Sequence, residues 1–157
     1  GLGMYGARAA VLKGAEVYVA EINEKVWDMA REIGAKDVAK SITEFKDLGL
    51  DVIVDYAGFG QTTTDAVETV RLGGRVVLVG MGKLEFTLST MAVITNQVEL
   101  FGSNGGTKED VQGIIDLYAT GKLNPKITEI KWEDIPQGID DLRDGKVIGR
   151  LVANYEA

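Results

Sequence analysis

Residues 1–21, GLGMYGARAAVLKGAEVYVAE, decide how this chain is read. Gly1, Gly3 and Gly6 fall on the spacing GxGxxG. That spacing carries meaning only in context: a strand before it, a helix after it, and an acidic residue at the end of the next strand. Residues 4–13 predict the helix, closed by Gly14, since glycine readily takes the left-handed turn that ends a helix. Glu16–Ala20, with Val17, Tyr18 and Val19, predicts the strand, being rich in β-branched and aromatic residues. Glu21 follows directly. A carboxylate there can accept both ribose hydroxyls of an adenosine and repels a 2′-phosphate.

Geometry chooses the register of the glycines. The helix must run back along the strand before it. Five strand residues cover roughly 17 Å, which a helix spans in about 11 residues. Eight positions separate Gly6 from Gly14, and eleven separate Gly3 from Gly14. Gly3 therefore takes the place of the third glycine, and Gly6 becomes a helix glycine that permits close packing. In this register the first two glycines, and the strand leading to them, are expected upstream of Gly1. The expected role of Gly1, Leu2 and Gly3 is to bring a diphosphate to a helix N-terminus, where free N–H groups favour anions.

Working outward, helices and strands continue to alternate. Residues 24–33 place Val26, Met29, Ala30 and Ile33 on one helix face. Asp51–Tyr56 is a nearly continuous apolar run, which predicts a strand covered on both faces. Residues 61–71 predict a helix, and Arg75–Val79 and Val98–Phe101 two more buried strands. Thr107 with Asp110 forms a capping-box signal. The helix it opens carries Val111, Ile114, Ile115 and Tyr118 at one-face spacing. A last helix through Ile135, Ile139 and Leu142 precedes a strand at Val147–Ala153, and Lys36–Leu50 reads as a short strand and loop. Such alternation predicts an α/β fold: a doubly wound parallel sheet of the Rossmann type, here without its first strand.

Composition narrows the chemistry. The chain has 157 residues, a net charge of -7, no Cys and no His. Nucleic acid is a poor partner for that charge, because phosphate contacts need surplus Lys and Arg. Anionic membrane surfaces are disfavoured for the same reason, and no apolar run reaches the ~20 residues of a membrane helix. Without Cys or His, the commonest metal ligands and the commonest general base are missing. The chemistry is expected to reside elsewhere, and the chain reads as the cofactor-binding piece of a longer protein.

With these features in place, the sequence resembles the zinc-type alcohol dehydrogenases of the medium-chain dehydrogenase superfamily. The carriers are GLG at Gly1–Gly3, GAEVYVAE at Gly14–Glu21 followed by Lys25, and DVIVDYAG at Asp51–Gly58. GGRVVLVGM at Gly73–Met81, FGSNGG at Phe101–Gly106 and GKVIGRLV at Gly145–Val152 complete the set. The resemblance covers essentially the whole chain and rests on their order and spacing. It implies a dinucleotide-binding domain over residues 1–157, with 127–157 as a segment returning toward an N-terminal catalytic domain. Zinc is expected only in that domain.

The resemblance also implies roles for individual residues. Glu21 holds the adenosine ribose, with Lys25 near it. Ala57 helps wall the adenine, while Val79, Gly80 and Met81 face the nicotinamide side. The backbone at Asn104 meets the carboxamide, and Arg150 meets the diphosphate. No catalytic acid or base is assigned within the chain. Asp55 reads as a satisfied buried carboxylate, and Trp27 and Trp132 as packing residues.

The implied activity is hydride transfer between NAD and an alcohol, aldehyde or ketone in a cytoplasmic homo-dimer or tetramer. Sheets would join edge to edge near Val98–Phe101. Two alternatives stand beside it. A zinc-free, NADPH-dependent quinone or enone reductase of the same superfamily is opposed by Glu21. A non-catalytic nucleotide-sensing module would account for the missing His and Cys.

Overall fold

The alternating pattern folds as strands that, among the described residues, pair only in parallel. The computed structural model describes residues 1–155. In chain order the elements are α1 (Leu2–Leu12), β1 (Tyr18–Ala20), α2 (Trp27–Glu32), β2 (Asp37–Ala39), β3 (Val52–Asp55), α3 (Gln61–Thr69) and β4 (Arg75–Leu78). There follow α4 (Thr90–Thr95), β5 (Glu99–Gly102), α5 (Lys108–Ala119), β6 (Ile127–Lys131), α6 (Ile135–Arg143) and β7 (Arg150–Asn154). Short 3₁₀ turns at Glu24–Val26 and Ile42–Leu48 join some of them.

Three separate parallel sheets result: β1–β2, β3–β4–β5 and β6–β7. The register runs Val19 to Val38 in the first, and Ile53 to Val76 to Leu100 across the second. Chain order β2–β1 and β3–β4–β5 is that of a Rossmann sheet interrupted between β1 and β3, where a first strand would sit. Helix α1 bridges the two sheets. Arg8 donates through Nη1 to the Ile33 carbonyl at the end of α2, the helix between β1 and β2, 3.0 Å. At the same time Gly3 and Gly6 lie against the ring of Tyr56, just beyond β3.

Core formation follows from which face each strand presents. Ile53 and Val76 point toward α3, where they pack with Ala66, Val67 and Val70. Val93 and Ala92 of α4 close the side of this cluster. Burying side chains of this size contributes ~1.5–3 kcal/mol each, which makes this cluster the main anchor of the second sheet.

Two-sided cover, expected for β3, is not found. Val52 is 52% exposed and Val54 39%, on the face turned away from the α3 cluster that buries Ile53. All four residues of β5 are likewise exposed, so the buried strand expected at Val98–Phe101 is an open edge strand. The apolar face of α5 also stands uncovered, since none of its residues is buried. The capping box at its start is as expected: Asp110 N–H donates to Thr107 Oγ1 at 3.2 Å, and Thr107 N–H to the Asp110 carboxylate at 2.8 Å.

Lys36–Leu50 contains the short strand, β2, but its expected loop is mostly a 3₁₀ turn with its own capping box between Ser41 and Glu44. Helix α4 and strand β6 had no counterpart in the sequence reading.

Candidate cofactor-binding site

The first group of site residues gathers at the N-terminus of α1. Gly1 caps this helix with no side-chain hydrogen bond, and its first turn holds no acidic residue. The amide groups there are thus open to an anion. Leu2 opens the helix and is largely exposed. Gly3 faces Tyr56, whose Cδ2 would lie 3.5 Å from a β-carbon at that position. A β-carbon on Gly6 would overlap the Tyr56 hydroxyl. Glycine lets the ring lie this close to α1, and a side chain at position 6 would have to displace it.

Glu21 leaves β1 at its carboxyl end. Its N–H donates to the Ala39 carbonyl, 2.9 Å, extending the ladder with β2. Its Oε1 accepts the Asn23 N–H at 2.8 Å. No described residue donates to Oε2, which is therefore available to a ligand. A cleft of about 370 Å³ opens between α1, α2 and the loops that lead into β6 and β7, with Gly1, Tyr5, Glu21, Asn23, Lys126 and Gly149 among its walls. Arg150 begins β7 at the edge of this cleft. Its Cζ lies 5.5 Å from the centre of the Tyr5 ring, and its Nη1 lies 4.0 Å from where a β-carbon on Gly1 would stand. Gly1, Glu21 and Arg150 are thus brought together from three distant parts of the sequence. Lys25 is exposed on the turn before α2, and its backbone N–H donates to Asn23 Oδ1 at 3.2 Å.

The second group lies at the carboxyl ends of β3, β4 and β5. Asp55 organises it. This buried carboxylate accepts the Ala57 and Gly58 N–H groups at 3.0 and 2.9 Å through Oδ1. Through Oδ2 it accepts the hydroxyls of Thr62 and Thr63, at 2.8 and 2.7 Å. Its own carbonyl accepts the N–H groups of Val79 and Gly80, both at 3.0 Å. Gly82 N–H then donates to the Ala57 carbonyl, 3.2 Å, and Lys83 N–H to that of Gly58, 2.8 Å. The turns after β3 and β4 are locked together by these bonds. Their contact is so close that a β-carbon on Gly58, whose φ is +63°, would overlap the Gly80 carbonyl oxygen.

Ala57, Val79 and Gly80 sit on this interlock, while Met81 projects from it, 81% exposed. Asn104 lies exposed in the turn after β5, which is tied to β4 by the Ser103 N–H to Leu78 carbonyl bond, 2.8 Å. Parallel pairing puts these three strand ends on one edge of their sheet, the edge where doubly wound folds place ligands. None of these five residues lines the cleft at Glu21. The two groups meet through Tyr56, which leaves β3 and lies on α1. Burial raises its hydroxyl above the ordinary value.

Two residues depart from the sequence reading. Trp27 does more than pack: its indole Nε1 donates to the Glu21 carbonyl at 2.8 Å. Trp132 is half exposed and stacks on Tyr155, ring centres 4.6 Å apart, outside the main core. Only the indole N–H itself, a donor that seeks a partner when partly buried, could have pointed to the bond at Trp27. The usual zinc ligands are missing from this chain. It has neither Cys nor His, and no group of three or more potential ligands exists among the described residues. Nor is any described helix long and apolar enough to cross a membrane.

Comparison with known proteins places this geometry. The sequence model of the zinc-binding dehydrogenases matches residues 1–120, ending before β6. Alcohol dehydrogenase 2 of Caenorhabditis elegans is 30% identical over 99% of this chain and 47% of its own length. The D-arabinose 1-dehydrogenase (NADP(+)) of Saccharolobus solfataricus is 29% identical over 91% of the chain and 43% of its own length. The chain therefore spans about half the length of these relatives. Among solved structures, acetophenone reductase from Geotrichum candidum in complex with NAD superposes with a TM-score of 0.87 at 27% identity, covering 98% of this chain and 45% of that one. By the match over most of its length, this chain belongs to the zinc-binding dehydrogenase family, and its parallel α/β fold is the Rossmann-like domain of those proteins.

Proposed function

We propose that this chain is the NAD-binding part of an oxidoreductase that moves hydride between the nicotinamide and an alcohol, aldehyde or ketone. The observation that carries the reading is the meeting of Glu21, Gly1 and Arg150 around one cleft. Glu21 offers Oε2 to the adenosine ribose, and its charge repels the 2′-phosphate of NADP. The uncapped N-terminus of α1 at Gly1, Leu2 and Gly3 receives the diphosphate. Arg150 adds a planar guanidinium suited to phosphate oxygens, and Lys25 stands near the same ribose. Ala57 walls the adenine. Val79, Gly80 and Met81 with Asn104 hold the nicotinamide end against the rigid strand ends fixed by Asp55.

When bound, the nicotinamide supplies the hydride acceptor or donor. This chain's residues bind it and aim it, and we assign none of them as acid or base on the substrate. Strands β6 and β7 with α6 between them form their own parallel unit, and residues 127–157 serve as the segment returning to a catalytic domain. Any zinc belongs to that domain, because its usual ligands are missing here. We further propose a cytoplasmic homo-oligomer joined across the open edge of β5, which pairs only with β4 among the described residues.

The NADP(+) in the name of the D-arabinose relative favours the alternative cofactor, and Glu21 opposes it. Calorimetric titration of the intact protein with each cofactor decides. Binding of NAD at least about tenfold tighter than NADP is expected from loss of one charge-assisted bond and a repulsion. Equal or reversed affinities would overturn the reading.

A further inference from the structure

We propose that Trp27 is a positioning residue for cofactor selectivity: its indole N–H fixes the backbone of Glu21 so that the carboxylate presents Oε2 to the adenosine ribose. The inference rests on the reading of Glu21 as the ribose ligand and extends it to a residue that never touches the nucleotide.

Glu21 is the first residue beyond the last paired position of β1, Ala20, where a strand end is free to splay. Two bonds prevent this. The N–H of Glu21 is held by the Ala39 carbonyl at 2.9 Å, and its carbonyl is held by Trp27 Nε1 at 2.8 Å. Together they fix both peptide planes flanking its α-carbon. From that fixed backbone the side chain reaches the Asn23 N–H through Oε1, 2.8 Å, which leaves Oε2 as the free oxygen of a residue that lines the cleft. The Trp27 bond also spans the turn that carries Asn23. That turn is also held by Asn23 Oδ1 on the Lys25 N–H, by the Asn23 carbonyl on the Val26 N–H, 3.1 Å, and by the ion pair of Glu24 with Lys40, 2.6 Å.

The ring itself is half-buried at the start of α2, with the Arg31 guanidinium 5.8 Å from its centre. A Phe or Leu could fill much of that space. Neither could donate a hydrogen bond, since among the large apolar side chains only indole brings an obligatory donor. Removing the donor while keeping the bulk separates positioning from packing.

The test is a double-mutant cycle on the intact protein, with NAD and NADP affinities measured by calorimetry for Trp27→Phe, Glu21→Ala and the pair. Trp27→Phe is expected to weaken NAD about three- to tenfold, as for one neutral hydrogen bond, to leave NADP unchanged, and to have no further effect once Glu21 is Ala. A loss of equal size with both cofactors, or one that persists in the Glu21→Ala background, makes Trp27 merely structural and overturns the inference while leaving the ribose reading intact. If Glu21→Ala leaves NAD affinity unchanged, the ribose reading falls and this inference with it.

Should Trp27→Phe not fold, benzothienylalanine can be placed at position 27 alone by site-specific incorporation. It keeps the ring shape and removes the N–H. The same selective loss of NAD is expected, and unchanged selectivity overturns the proposal.

Discussion

Replacing Asp55 by Ala should destabilise the protein by about 2–4 kcal/mol. The carboxylate accepts four hydrogen bonds, two of them from donors on buried residues, the Gly58 N–H and the Thr63 hydroxyl. Each buried donor left unpaired costs about 1–3 kcal/mol. Ala57 is exposed and Thr62 only part-buried, so their donors can turn to water at little cost. Relief from burying a charge offsets part of the loss. Against a total stability of about 5–15 kcal/mol, the net effect is large. It should move the urea midpoint by about 1–2 M for an ordinary denaturant slope. Asp55→Asn keeps an oxygen for the two N–H groups, and the threonine hydroxyls can rotate to accept from its amide, so about 1 kcal/mol is expected. Both variants are compared with the parent by urea unfolding followed by circular dichroism. A midpoint for Asp55→Ala within about 0.2 M of the parent, or equal damage from both substitutions, would refute the view that this carboxylate pins the turns after β3 and β4.

Gly58→Ala should cost at least about 2 kcal/mol, since its β-carbon meets the Gly80 carbonyl and its φ of +63° disfavours a side chain; a melting temperature equal to the parent's would contradict the interlock. Arg150→Lys should weaken NAD about tenfold, because an ammonium cannot match the forked contact to phosphate, and titration calorimetry at two salt concentrations checks this. The Thr107 backbone N–H, and then its hydroxyl, hold the Asp110 carboxyl below its ordinary value of 3.8. A depressed folded value means the cap is intact above pH 3.8 and is lost as pH falls through the lower folded value. The Thr107 amide resonance, followed by NMR, should therefore titrate below 3.8; a midpoint at or above it would remove the capping box.

The alternation that predicts the fold was legible because its signals are local. Glycine ends α1 and α2 at Gly14 and Gly34, both at positive φ, and β-branched runs give β1, β3 and β4. Helix α4 escaped because it is rich in β-branched residues and no glycine closes it, and strand β6 because Glu129 and Lys131 break up its β-branched residues. Exposure could not be read at all. Val52 and Val54 are as apolar as Ile53, and only which face of β3 meets the α3 cluster distinguishes them. The site divides the same way. Glu21 follows from its place at a strand end, whereas its meeting with Arg150, more than a hundred residues later, was supplied only by resemblance. The Gly58–Gly80 interlock and the Trp27 bond depend on tertiary approach, and no spacing in the sequence encodes either.

A crystal structure of the intact protein with NAD tests the central claim most directly. The account predicts Glu21 Oε2 within hydrogen-bond distance of the adenosine ribose hydroxyls, the diphosphate over the first amides of α1, and Arg150 on its oxygens. A nucleotide bound away from β1, or a Glu21 carboxylate turned from the ribose, would contradict it.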